Sequence, residues 1–197
     1  MAGRITLREQ KKLEYRQKIL SAATNEFKKR GFINTSVSNI MRGANLGVGT
    51  FYNYFDSKEE VLTNLVKNLF AEVEEKIQAN EKLNPSSIEL LEICCMHTAE
   101  IIEKNKFVLP LLSSAAEHSD KPEPTQKNLS PGFKVIFGKI IERGQERGEI
   151  RRDIPTDLIS EMFHSIYQAA AFSKLKISFK ENVRLKVKIL LDGIKIL

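Results

Sequence analysis

Residues Phe27 to Leu62 read F-K-K-R-G-F-I-N-T-S-V-S-N-I-M-R-G-A-N-L-G-V-G-T-F-Y-N-Y-F-D-S-K-E-E-V-L. Gly31 is a stop signal after an amphipathic helix. Thr35 or Ser36 then caps a short helix whose apolar face is Val37, Ile40 and Met41. Gly43-Ala44-Asn45 ends it, with Asn45 suited to a left-handed turn. Gly47 serves as the next N-cap, and Val48 to Tyr54 makes a second short helix with Phe51 and Phe55 turned to a core. Ser57-Lys58-Glu59-Glu60 is an S-x-x-E capping box that opens a longer helix. Two short helices joined by a tight turn describe a helix-turn-helix, whose second helix enters the DNA major groove.

Working outward, Leu13 to Arg30 is a first helix with Ile19, Leu20, Ala23 and Phe27 facing the core, the brace of a three-helix module. Residues 1–12 read as a mobile basic arm or a frayed helix start, either a disordered terminus or a segment that touches DNA through Arg4, Arg8, Lys11 and Lys12. A long helix over 57–78 carries Val61, Leu62, Leu65, Val66, Leu69, Phe70, Val73 and Ile77. Further helices are expected over 87–104, 107–118, 131–147, 157–173 and 181–196, with Ser86 or Ser87 capping the first of these and Thr156 the fourth. The proline-rich stretch 119–131 is the clear loop. The expected architecture is all-α, about nine helices: a DNA-binding domain over 1–56 and a ligand-binding and dimerisation domain over 57–197, a C-terminal helical bundle.

Composition agrees with a helical protein: 197 residues, 42% hydrophobic, no Trp. The formal charge of +6 is unevenly placed. Residues 1–60 hold 11 Lys and Arg against 6 Asp and Glu, while residues 61–197 hold 20 against 19. A basic N-terminal domain favours a phosphate backbone as partner. No signal peptide is evident, and no apolar run approaches the ~18 residues that span a bilayer, so a cytoplasmic protein with no membrane partner is expected.

The order Phe27, Gly31-Phe32, Thr35-Ser36-Val37, Ile40, Ala44, Gly49-Thr50-Phe51-Tyr52, Tyr54-Phe55, Ser57-Lys58, Leu62 resembles the TetR family of bacterial transcription regulators over about a quarter of the chain. Three positions depart from the pattern: Met41 where a small residue is usual, Asn45 where Gly is usual, and Gly47 where Ser is usual. The resemblance implies DNA-backbone contacts at Thr50, Tyr52, Tyr54 and Lys58, and Ser36 joins the DNA-binding set. Ser38, Val48, Gly49 and Asn53 are the candidates for reading base edges: Val48 can meet a thymine methyl, and Asn53 can pair with adenine.

The resemblance also implies a small-molecule pocket in the C-terminal domain, for which the candidates are Phe70, Met96, Phe107, Phe133, Phe137, Met162, Phe163 and Tyr167. Pairing across a two-fold axis through the last two helices is expected at Ala169, Ala170, Val187, Leu191 and Ile194. His97, His118 and His164 have no metal-ligand spacing, and Cys94 and Cys95 read as a buried thiol pair; no cofactor or metal is expected. With no catalytic constellation, the leading expectation is a regulator, most simply a homodimeric repressor on a palindromic operator. Its unknown effector, a small apolar or amphipathic ligand, would shift the fourth helix. Control by a protein partner is the alternative, and an enzyme with a DNA-binding head the third reading.

Overall fold

The computed structural model describes residues 6–109 and 131–196, with side chains in the second segment from Val135. The expected helix over 107–118 and the loop over 119–131 therefore lie largely outside the described residues. So do His118 and the side chain of Phe133. The described residues form eight α-helices and a short 3₁₀ turn: α1 Leu7–Arg30, α2 Val37–Gly43, α3 Val48–Phe51, α4 Lys58–Glu81, α5 Ser87–Lys104, the turn Lys106–Val108, α6 Pro131–Glu146, α7 Thr156–Ala171 and α8 Phe179–Ile194. The chain divides into two compact units, Met1–Leu65 and Val66–Leu197, and the division falls within α4.

In the first unit α1 begins six residues earlier than its apolar spacing indicates. Thr6-x-x-Glu9 is a capping box, with the Glu9 N–H donating to Thr6 Oγ1 at 3.3 Å and the Thr6 N–H to Glu9 Oε2 at 2.8 Å. The basic stretch before Leu13 is thus helical from Leu7 onward. Gly31 follows α1 with φ 75°, a conformation that suits glycine. Thr35, 1% exposed, donates its hydroxyl to the Gly31 carbonyl at 2.8 Å and ties the turn to the end of α1. Ile19, Ala23, Phe27, Ile40, Met41, Phe51, Phe55, Val61 and Leu62 make the core. Met41 is fully buried there, so the larger side chain is accommodated at that position.

In the second unit α5 packs on α6 and α8, and α7 packs on α6 and α8. Ser86 caps α5 through a capping box with Glu89, and the Glu149 carboxylate accepts the Ser87 N–H at 2.5 Å. Thr156 is the first residue of α7, and its hydroxyl donates to Gln145 Oε1 at 2.8 Å; Pro155 takes the cap position. Ser178 caps α8, which starts at Phe179, two residues ahead of the expected start. Gly144 lets α6 approach closely: a Cβ there would stand 2.8 Å from Ser87 Cβ and 2.6 Å from Ile150 Cδ1.

Four of the five residues expected at a subunit interface are core of their own chain. Ala170, Val187, Leu191 and Ile194 are 6%, 2%, 6% and 2% exposed. Both helices are apolar on more than one side, and the tighter stripe is spent on packing within the chain. A second stripe is left outside: Leu158, Met162, Ala169 and Phe172 at i, i+4, i+11 and i+14 along and just past α7, with Leu185, Ile189 and Ile196 along and just past α8. Met162, expected in the pocket, belongs to this outer stripe at 47% exposed. The other pocket candidates face inward to different degrees. Phe137 and Phe163 are fully buried and stack with centroids 5.3 Å apart. Tyr167 donates to the Cys95 carbonyl at 3.2 Å, Phe107 is buried, and Phe70 and Met96 are half-buried.

Candidate nucleic-acid interface

Helix α2 starts at Ser36, which exchanges hydrogen bonds with Asn39: the Asn39 N–H donates to Ser36 Oγ at 3.2 Å and the Ser36 N–H to Asn39 Oδ1 at 3.1 Å. The turn after α2 passes through Asn45 at φ 55°, the left-handed conformation expected for it. Gly47 is the N-cap of α3 with no side-chain cap. Helix α3 is shorter than expected, ending at Phe51. Asn53 and Tyr54 continue as tighter turns, their N–H groups donating to Thr50 and Phe51 carbonyls at 3.2 and 2.9 Å. Gly49 and the β-branched Val48 and Thr50 are weak helix formers, and the segment is held by Phe51 and Phe55 in the core.

That anchoring turns the remaining side chains outward. Tyr52 is 62% and Val48 46% exposed, and Ser36, Ser38, Gly49 and Asn53 are exposed as well. A Cβ on Gly49 would meet nothing within 4 Å, so its backbone is open to close approach. Thr50 and Tyr54 are half-buried, and the Tyr54 ring lies 6.4 Å from that of Tyr15 on α1. Ser36, Val37, Tyr52, Asp56, Ser57 and Lys58 line one surface hollow, which brings the starts of α2 and α4 beside the exposed tyrosine.

Lys58 is placed differently from the other candidates. Its ammonium donates to the carbonyls of Phe32, Ile33 and Thr35 at 3.0, 3.3 and 2.9 Å and sits 4.6 Å from the centre of the Phe32 ring. A lysine has three donors, and all three are engaged inside the protein. The side chain thus clips the α1–α2 turn to the start of α4. Arg16 makes a second tie, with its guanidinium 4.9 Å over Phe55 and its Nη2 donating to Asn64 Oδ1 at 2.6 Å. At the capping box of α4, the Glu60 N–H donates to Ser57 Oγ, while the Glu60 carboxylate accepts from Asp56 rather than Ser57.

Residues 19–65 match the family described as bacterial regulatory proteins, tetR family. This stretch is similar to the TetR-family DNA-binding domain. Over 105 residues the chain is 30% identical to the uncharacterized HTH-type transcriptional regulator YvdT of Bacillus subtilis, covering 52% of this chain and 54% of that one. The chain thus spans about half or less of the length of the curated HTH-type relatives it matches. The fold is that of solved TetR-family structures. FadR of Bacillus subtilis in complex with stearoyl-CoA is 19% identical with a TM-score of 0.74, covering 90% of this chain and 98% of that chain. FadR of Thermus thermophilus, a TetR-family repressor in complex with lauroyl-CoA, is 23% identical with a TM-score of 0.68, covering 92% and 96%.

Elsewhere, the described residues contain no group of three or more His, Cys, Asp or Glu side chains placed to hold a metal ion. Cys94 and Cys95 are free and buried. Burial pushes the Cys94 thiol up to about 12 and Cys95 well above its ordinary value. No described helix is long and apolar enough to cross a membrane.

Proposed function

We propose that the protein is a DNA-binding transcription regulator, a repressor that reads a palindromic operator as a homodimer and is released by a small amphipathic effector. The observation that carries this reading is the exposed segment Val48–Asn53. It is held by buried Phe51 and Phe55 and presents Tyr52, Asn53 and an unobstructed Gly49 outward. Tyr52, Thr50 and Tyr54 supply hydroxyls for phosphate oxygens, and Ser36 and Ser38 border them on α2. Asn53, Ser38, Val48 and Gly49 are placed for base edges.

A second copy is the partner that suits the outer stripe of α7 and α8. The stripe holds Leu158, Met162, Phe172 and Ile189 at 49%, 47%, 65% and 74% exposed. Large apolar side chains gathered on one helical pair mark an association surface. A two-fold pair also supplies the second recognition segment that a palindrome requires. For the effector, the acyl-CoA complexes of the FadR proteins favour a fatty acyl thioester. Phe107, Phe137, Phe163 and Tyr167 give the second unit an aromatic interior of matching chemistry. An effector releases DNA only if it binds the DNA-incompetent state better. Helix α4 runs from Lys58 to Glu81, and its first residue is tied to the α1–α2 turn.

The test is selection of duplexes from a random-sequence pool, followed by titration with acyl-CoAs of graded chain length. Enrichment of a palindrome, released by a long-chain acyl-CoA, is the expected result. Enrichment without release by any acyl-CoA would remove the effector assignment, and no enrichment would remove the DNA-binding reading.

A further inference from the structure

On α1, Arg8, Lys12, Tyr15, Ile19 and Ala23 stand at i, i+4, i+7, i+11 and i+15, one stripe of the helix, with Lys11 beside it at i+3. Ile19 and Ala23 are fully buried, so the stripe faces the core at that end. Two turns earlier the same stripe carries Arg8 and Lys12, with Lys11 beside them, all exposed. Arg8, Lys11 and Lys12 form no hydrogen bond or salt bridge among the described residues. Glu9 caps Thr6, and Glu14 pairs with Lys18 at 2.7 Å, with Lys11 only a weaker electrostatic neighbour. The exposed Leu13 points away from the stripe and Leu7 is a single apolar side chain on the Lys11 side, so the patch lacks the apolar face that enters lipid.

The change from covered to uncovered stripe falls at Tyr15, whose ring lies 6.4 Å from that of Tyr54, at the end of the recognition segment. The basic stretch therefore begins beside the residues assigned to DNA and runs outward. The Thr6–Glu9 capping box takes up the Thr6 and Glu9 N–H groups and fixes the start of α1, so Arg8, Lys11 and Lys12 are carried on an ordered helix. A helix already formed also spends less entropy on binding than a disordered arm.

We infer that Arg8, Lys11 and Lys12 grip the phosphate backbone of duplex DNA flanking the base pairs read from α3; this rests on the DNA-binding reading above. From Tyr15 to Arg8 the helix rises ~10 Å at ~1.5 Å per residue, which is about three base pairs of duplex at ~3.4 Å each. The contacts extend the bound length on each outer side without adding sequence preference.

The experiment compares wild type, Tyr52→Ala and the triple variant Arg8→Gln/Lys11→Gln/Lys12→Gln. Gln keeps the helix propensity of the residues it replaces. The probes are a duplex enriched by the wild-type protein from a random pool, and the same duplex trimmed by three base pairs at each outer end. Wild type is expected to weaken on the trimmed probe, while the triple variant binds both alike. Its slope of log affinity on log salt is expected to be shallower by about 2.7 per bound protomer. Equal weakening of wild type and triple variant on trimming would overturn the inference, as would an unchanged salt slope. If Tyr52→Ala abolishes binding while the triple variant matches wild type, the flank contact falls and the helix-turn-helix reading stands. If wild type enriches no duplex, both fall.

Discussion

Lys58 donates a hydrogen bond to the carbonyl oxygen of Thr35 at 2.9 Å, joining the first residue of α4 to the residue before the α2 cap. With its bonds to Phe32 and Ile33, it makes the turn ahead of α2 and the start of α4 one assembly. Tyr52 lines the same hollow but touches it from outside, 62% exposed. The two residues therefore separate stability from binding. Lys58→Ala is expected to lower the stability of the first unit by about 2 kcal/mol, since hydrogen bonds to a charged donor are worth ~1.5–3 kcal/mol, and to weaken DNA binding with it. Tyr52→Ala should leave stability within about 0.5 kcal/mol and weaken binding alone. Chemical denaturation and fluorescence anisotropy on both variants check this; equal stability of Lys58→Ala and wild type would contradict the clip.

The outer stripe makes a paired prediction on α8. Ile189 is 74% exposed and Leu191 6%. Ile189→Glu is expected to keep native circular dichroism and weaken self-association more than tenfold in sedimentation. Leu191→Glu buries an unpaired carboxylate and should unfold the second unit rather than yield a folded monomer. A folded, monomeric Leu191→Glu protein would contradict the division of stripes.

Gly144 tests the close approach of α6. Alanine normally stabilises a helix relative to glycine by ~1 kcal/mol. Here the added Cβ would meet Ser87 Cβ at 2.8 Å and Ile150 at 2.6 Å, and overpacking costs ~1–3 kcal/mol. Gly144→Ala is therefore expected to lower the melting temperature; a rise would show that the site yields.

Three titratable groups shifted by burial give further predictions. Burial holds the His164 imidazole below its ordinary 6.5, with Glu161 opposing. The unfolded chain then binds more protons between the folded and the unfolded value. This contribution to stability is complete above about 6.5 and is lost as pH falls below it. His164→Gln should flatten that acid-side loss in pH-dependent denaturation. The thiols of Cys94 and Cys95, held protonated by burial, should not react with an aromatic disulfide reagent at pH 8 until the protein is denatured.

The helix-turn-helix was legible because its signals are local. Asn45 at φ 55°, the Ser36 cap and the buried Phe51–Phe55 pair each follow from residues within one or two turns. The start of α1 was equally local, since Thr6-Leu7-Arg8-Glu9 is a capping box. Its apolar spacing is weak before Ile19, so the sequence leaves a mobile arm and a helix start both open there. The clip at Lys58 had no such signal: its acceptors are backbone carbonyls 23 to 26 residues away, and any residue supplies those. Periodicity also could not rank two apolar stripes on one helix. Val187, Leu191 and Ile194 pack within the chain and Met162 lies outside, and spacing alone does not distinguish the two faces.

The central claim is that the segment after Gly47 reads duplex DNA, and salt-dependent anisotropy on the enriched palindrome tests it most directly. Wild-type affinity is expected to fall by ~10³ or more between about 50 and 200 mM salt, as for proteins with many phosphate contacts. Tyr52→Ala should weaken every duplex alike, and Asn53→Ala should change the preference among them. Affinity indifferent to salt over that range, with sequence preference unchanged in Asn53→Ala, would contradict the account.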